Sequence, residues 1–126
     1  MAGHVTVGDF AIIGGSSAIH QFASIGRHVM ISGGSLVRKD VPPFTKAARE
    51  PLSYCGINSV GLRRRGFTNE AVLQIEDIYR TIYVRGHNVS NALNIVEQEA
   101  PASPEKELIV SFIRDSKDGI IRGIAG

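Results

Sequence analysis

The side chains able to do chemistry fall in three places along this 126-residue sequence. His4, His20 and His28 lie near the start, with Gln21 directly after His20. Arg63, Arg64 and Arg65 form an unbroken basic run that follows GINSVGL. Cys55 is the single cysteine. Imidazole ligates metals and moves protons near neutral pH, and a glutamine amide adds a neutral donor and acceptor. Guanidinium forks match phosphate and carboxylate oxygens, and the start of a following helix attracts anions. Spacing narrows these options. The histidines lack the close pairing with another His or Cys that a zinc site needs. The sequence contains no GxSxG elbow, P-loop, CxxC or HExxH. The alternative for each histidine is a solvated corner residue, and for the arginines a solvated turn.

A repeat must position the first group. Val7, Ile13, Ile19, Ile25, Ile31 and Val37 recur every sixth residue, each preceded at two residues by Val5, Ala11, Ser17, Ala23, Val29 or Ser35. Such a period would drift around the surface of a helix. It suits a short strand plus a corner, and three such sides close a triangular turn of about eighteen residues that stacks by parallel pairing. The aliphatic residue then points inward, and Gly8, Gly14 and Gly26 relieve the bend where positive φ is needed. His20 and Gln21 interrupt that glycine pattern at a corner and face outward. Ordinary strands with chance spacing are the competing reading.

The repeat stops at VPPF, because Pro42 and Pro43 cannot donate to a ladder. Residues 43–67 carry no period and read as a connecting loop. Helical signals follow. Thr68 caps a helix whose apolar face is Val72, Ile75, Ile78, Tyr79 and Ile82, with Gly86 as its stop. Ser90 opens a second helix through Leu93 and Val96, and Ser103–Pro104 opens a third carrying Leu108, Ile109, Phe112 and Ile113. The tail DGIIRGIAG reads as a loop. The expected layout is therefore residues 1–42 as repeat, 43–67 as loop and 68–126 as a helical subdomain. The repeat begins without a capping turn, which leads us to expect the C-terminal part of a longer repeat protein.

A net charge of +2 gives no basis for nucleic-acid binding, and the scattered aromatic residues form no stacking platform. No apolar run is long enough to span a membrane, and MAGHVTVGDF is not a secretory signal. A single cysteine excludes an internal disulfide and fits a cytoplasmic protein.

The stretches AGHVTVGDFAIIGGSSAIHQFASIGRHVMISGG, DVPPF and GINSVGLRRRGFTNEAV resemble the C-terminal half of the UDP-N-acetylglucosamine O-acyltransferase family. The resemblance implies a left-handed parallel β-helix of about two coils of hexapeptide repeats, followed by a C-terminal α-helical subdomain. It implies a homotrimer with sites between subunits. The implied reaction moves an (R)-3-hydroxyacyl group from acyl carrier protein to the 3-hydroxyl of UDP-N-acetylglucosamine, the first step of lipid A biosynthesis. It calls for no cofactor, no metal, no nucleic acid and no membrane insertion.

By position the resemblance gives substrate-binding roles to His4, His20, Gln21, Asn58, Arg64 and Arg65. It makes Gly33 the acyl-length position, where glycine leaves room for a long chain. Val60 stands where the resemblance implies glutamate, which puts one polar contact to the ligand in question. The family's general-base histidine falls in an HxxHDC-like repeat upstream of the matched region. No catalytic residue is therefore expected within the chain, and the chain alone is not expected to turn over. A non-catalytic trimeric scaffold, a γ-type carbonic anhydrase-like zinc protein and an acetyl-CoA-dependent sugar N-acetyltransferase are the alternatives.

Overall fold

Six two-residue strands recur at six-residue steps: β1 (Thr6–Val7), β2 (Ile12–Ile13), β3 (Ala18–Ile19), β4 (Ser24–Ile25), β5 (Met30–Ile31) and β6 (Leu36–Val37). The computed structural model describes residues 5–117 and 119–123. His4 lies outside them. Thr6 pairs in parallel with Ser24, Ile12 with Met30 and Ala18 with Leu36, an offset of eighteen residues on each of three faces. Ile25 bridges onward to Val41, which begins a further layer. Ile19, Ile25, Ile31 and Val37 are buried with Ala23, Val29, Val41 and Leu52 in one apolar core.

The corners use two devices where the sequence analysis expected one. Positive φ falls not on Gly8, Gly14 and Gly26 but two residues later in the period. Phe10, Ser16, Phe22, His28 and Gly34 all have φ between 59° and 72°. Four of these are not glycine, so each corner holds a left-handed conformation at some steric cost. The glycines serve close approach instead. A Cβ on Gly8, Gly14 or Gly26 would come within 2.4, 2.2 or 2.4 Å of the backbone nitrogen of Arg27, Gly33 or Pro43 in the next layer. His20 occupies the same place in the period, and its N–H donates to the Val37 carbonyl at 2.7 Å.

Residues 43–67, expected as a loop, contain a hairpin and a short helix. β7 (Thr45–Ala48) adds in parallel to β5, and β8 (Ser53–Ile57) returns antiparallel to it. The cause is the open edge of β5, whose unpaired groups accept a strand once the two prolines have ended the repeat. Thr45 and Ala47 are buried while Lys46 faces outward. α1 (Ser59–Arg64) follows, capped by the Asn58 side chain.

α2 (Asn69–Tyr83), α3 (Val89–Glu99) and α4 (Pro104–Asp115) complete the described helices. Thr68 and Ser103 cap α2 and α4 as their sequence positions indicate. Asn88, rather than Ser90, caps α3, because its carboxamide oxygen accepts the Asn91 N–H at 2.8 Å. Lys106 is buried and its ammonium donates to the Glu97 and Ala100 carbonyls, closing the end of α3. The helices share a second core that includes Phe44, Leu62, Val72, Ile75, Tyr79 and Ile109. Tyr54 packs against both cores. The tail, expected as a loop, pairs with the sheet. β9 (Arg122–Gly123) runs parallel to β8, and Ile120 bridges Asp40. Buried Asp40 anchors this junction by accepting from the Ser24 N–H at 2.8 Å and the Ser116 hydroxyl at 2.6 Å.

Candidate functional site

A cleft of about 590 Å³ opens between α1 and the outer faces of β2, β5 and β7. Ile12, Met30 and Lys46 stand in register across those three strands and form its floor. Asn58, Val60, Arg64 and Arg65 come from α1 and its cap. Phe10 and His28 close the remaining wall. A second cavity of about 400 Å³ shares Ile12, Met30 and Lys46 and runs on to Gly33, Ala48 and Cys55. The two adjoin along those three residues. The lining contains no Asp or Glu.

α1 decides which arginines reach the cleft. Arg64 and Arg65 line it, whereas Arg63 points away and donates to the Asn69 side chain at 3.0 Å. The Arg65 guanidinium lies 4.3 Å from the centre of the Phe10 ring, a cation–π contact that orients it. Asn58 is buried, donates to the His28 carbonyl at 3.0 Å and accepts from the Gly61 N–H at 3.3 Å.

His28, a repeat histidine to which the resemblance gives no role, is built into the cleft wall. It is only 7% exposed, with its ring stacked 4.9 Å from Phe10 and 5.8 Å from Phe44, and Phe67 edge-on at 5.1 Å. Burial in this aromatic cage lowers its pKa from the ordinary 6.5, and the charges of Arg27 and Arg65 add to the effect against the opposing pull of Asp9. The signal was present in the period, since position 28 falls where Phe10 and Phe22 fall.

The remaining candidates are dispersed. Gly33 lines the second cavity, and a Cβ there would meet the Gly15 carbonyl oxygen at 3.2 Å. His20 and Gln21 are exposed at the turn after β3 and do not line this cleft. Among the described residues no group of three or more His, Cys, Asp or Glu side chains is placed to hold a metal ion. Among the same residues no helix is long and apolar enough to cross a membrane.

Strands at six-residue steps, carrying on one face a cleft with a cationic wall and an apolar floor, define a repeat protein suited to a ligand with anionic and apolar parts. Comparison with known proteins narrows that class. Residues 40–124 match the family model described as UDP N-acetylglucosamine O-acyltransferase, domain 2, and the chain belongs to that family.

Acyl-[acyl-carrier-protein]–UDP-N-acetylglucosamine O-acyltransferases from Burkholderia orbicola and Thiobacillus denitrificans are 44% and 39% identical to it. Both alignments cover 97% of this chain, but 48% and 47% of those proteins. The solved structure of LpxA, a UDP-N-acetylglucosamine acyltransferase from Bacteroides fragilis, superposes with a TM-score of 0.95 at 54% identity, covering 97% of this chain and 48% of that one. The Arabidopsis UDP-N-acetylglucosamine acyltransferase superposes at 0.87 and 35% identity, over 100% and 46%. The chain thus spans about half the length of the relatives it matches.

Proposed function

We propose that this chain is the C-terminal portion of an acyltransferase that moves an (R)-3-hydroxyacyl group from acyl carrier protein to the 3-hydroxyl of UDP-N-acetylglucosamine, the first step of lipid A biosynthesis. The observation carrying this reading is that the cationic cleft adjoins, across Ile12, Met30 and Lys46, the apolar cavity that reaches Gly33. Phosphates of a nucleotide sugar or of the carrier's prosthetic arm suit the arginine wall. A saturated chain suits the Ile12–Met30 floor. The names of the relatives agree with both halves.

In this reading the strands form about two coils of a left-handed parallel β-helix, and the residues after 67 form its helical subdomain. Three subunits assemble in the cytoplasm, and His20 and Gln21 border a neighbour's cleft instead of their own. His4, outside the described residues, is read as a further substrate contact by resemblance alone. Asn58, Arg64 and Arg65 hold polar parts of the substrates, and Gly33 leaves the acyl path open. His28 lines the cleft but is only 7% exposed and packed against three phenylalanine rings, and the resemblance gives it no role as general base. The base belongs to another part of the whole enzyme.

The test is acyl transfer from 3-hydroxyacyl carrier proteins of graded length to labelled UDP-N-acetylglucosamine. The chain alone is expected to bind the nucleotide sugar without turnover. The whole protein is expected to use long acyl donors. Clear turnover by the 126 residues would refute the assignment of the base, and failure of the whole protein to transfer any acyl group would refute the function.

A further inference from the structure

We propose that Lys46 is a third cationic contact for a phosphate ester in this cleft, joining Arg64 and Arg65. The sequence hid it in a segment read as loop, and the strand pairing reveals it. On β7 the neighbours Thr45 and Ala47 turn inward, which sends Lys46 to the outer face beside its register partner Met30. There it lines both cavities, at the boundary between the arginine wall and the apolar path to Gly33.

Three cations share a lining without a single carboxylate. Elsewhere Arg27, Arg38, Arg80, Arg85 and Arg114 pair with an Asp or Glu, while among the described residues Lys39, Arg49 and Arg122 have no such pair, so the distinguishing feature of the cleft is its lack of any carboxylate. Among the described residues Lys46 and Arg64 have no such partner, and Arg65 rests on an aromatic ring. Like charges held together repel one another, so the cleft is set up for a counter-anion. Val60 adds to this, because an apolar side chain on the exposed start of α1 leaves the cations unneutralised. A lysine also fits a boundary position for a physical reason: its methylene stem lies along apolar surface while the ammonium reaches for an anion. The ligand group is a phosphate ester, from either the nucleotide diphosphate or the phosphodiester of the carrier's arm. Naming these two sources rests on the acyltransferase reading; the cation cluster rests on the geometry alone.

Titration of the purified chain with UDP-N-acetylglucosamine, a 3-hydroxyacyl phosphopantetheine and inorganic pyrophosphate tests the proposal. The variants are K46M and K46R, with melting curves matching wild type as the folding control. Loss of a charge-assisted hydrogen bond weakens binding about tenfold or more. K46M is expected to show that loss for one of the two organic ligands, with a shallower salt dependence, and K46R to recover most of the affinity. The ligand affected identifies the source of the phosphate. Unchanged binding of both organic ligands to K46M overturns the role of Lys46 and leaves the acyltransferase reading intact. Lysine-dependent binding of pyrophosphate alone supports the cation site and counts against that reading. Wild-type binding of none of the three overturns both.

Discussion

The Asn58 carboxamide hydrogen-bonds in two directions, donating to the His28 carbonyl at 3.0 Å and accepting from the Gly61 N–H at 3.3 Å. One buried side chain thereby fixes the start of α1 to a corner of the strand stack thirty residues earlier in the chain. The position of Arg64 and Arg65 over the cleft depends on that link, since α1 carries both. Gly61 belongs to the same arrangement, because a Cβ there would come within 2.4 Å of the Asn58 amide nitrogen.

Replacing Asn58 by alanine removes a helix cap and strands a buried carbonyl, a combined cost of about 2–4 kcal/mol. Asn58→Asp keeps an acceptor for Gly61 but sets a carboxylate against the His28 carbonyl. It is expected to destabilise at least as much as alanine does. Urea melts of the two variants check both statements. An alanine variant as stable as wild type would dissociate the cap from the cleft.

The two corner devices predict opposite effects of small substitutions. Gly14→Ala drives a Cβ to within 2.2 Å of the Gly33 nitrogen, and backbone cannot yield as a flexible side chain does. A loss of about 1–3 kcal/mol or more is expected from forced layer separation. Ser16→Gly, two residues away, relieves a left-handed backbone at φ 61° on an exposed corner. A gain of up to about 1 kcal/mol is expected there. Thermal melts of the pair distinguish close approach from φ as the reason for each residue.

Gly33→Met places a long side chain in the cavity beside Met30 and Cys55. In the whole enzyme we expect transfer of long acyl chains to fall at least about tenfold relative to short ones, because several methylenes lose their place in an apolar path. Competition between two carrier-bound acyl chains of different length reads this ratio directly. Equal loss for both lengths would mean that the stack is damaged and acyl length is not being read there.

The lowered pKa of His28 makes stability depend on pH in a defined direction. The unfolded chain takes up this proton near the ordinary 6.5, while the native cage resists it to lower pH. His28 therefore contributes stability that is complete above the unfolded value. That stability is lost progressively as pH falls from about 6.5 toward the lowered native value, and the loss then levels off. His28→Phe puts at this corner the residue already tolerated at Phe10 and Phe22 with the same sign of φ. Denaturant melts between pH 7.5 and 5 are expected to show a smaller loss for the variant. Parallel losses in both proteins would place the acid sensitivity elsewhere.

The period of six aliphatic residues determined which side chains turn inward, because hydrophobic burial and a two-residue strand leave no other register for Ile19, Ile25 and Ile31. Thr68 and Ser103 likewise announced their helices, since capping is a local interaction between neighbours in sequence. His20 and Gln21 were legible as an interruption of the glycine pattern, and the run at residues 63–65 as a basic cluster. The resemblance singled out Arg64 and Arg65 within that run, but no local interaction separates them from Arg63 as the pair that faces the cleft.

Tertiary structure decided that, through the Asn58–His28 bond that orients α1. It also decided that residues 45–48 form a strand, since an open sheet edge recruits a segment of weak propensity whose partner lies sixteen residues away at Met30. Lys46 became part of the cleft only by that pairing. The aromatic cage around His28 likewise gathers Phe10, Phe44 and Phe67 from three separate segments. Sequence period sets which way a side chain points. Only the packing of segments distant in the chain sets what it points at.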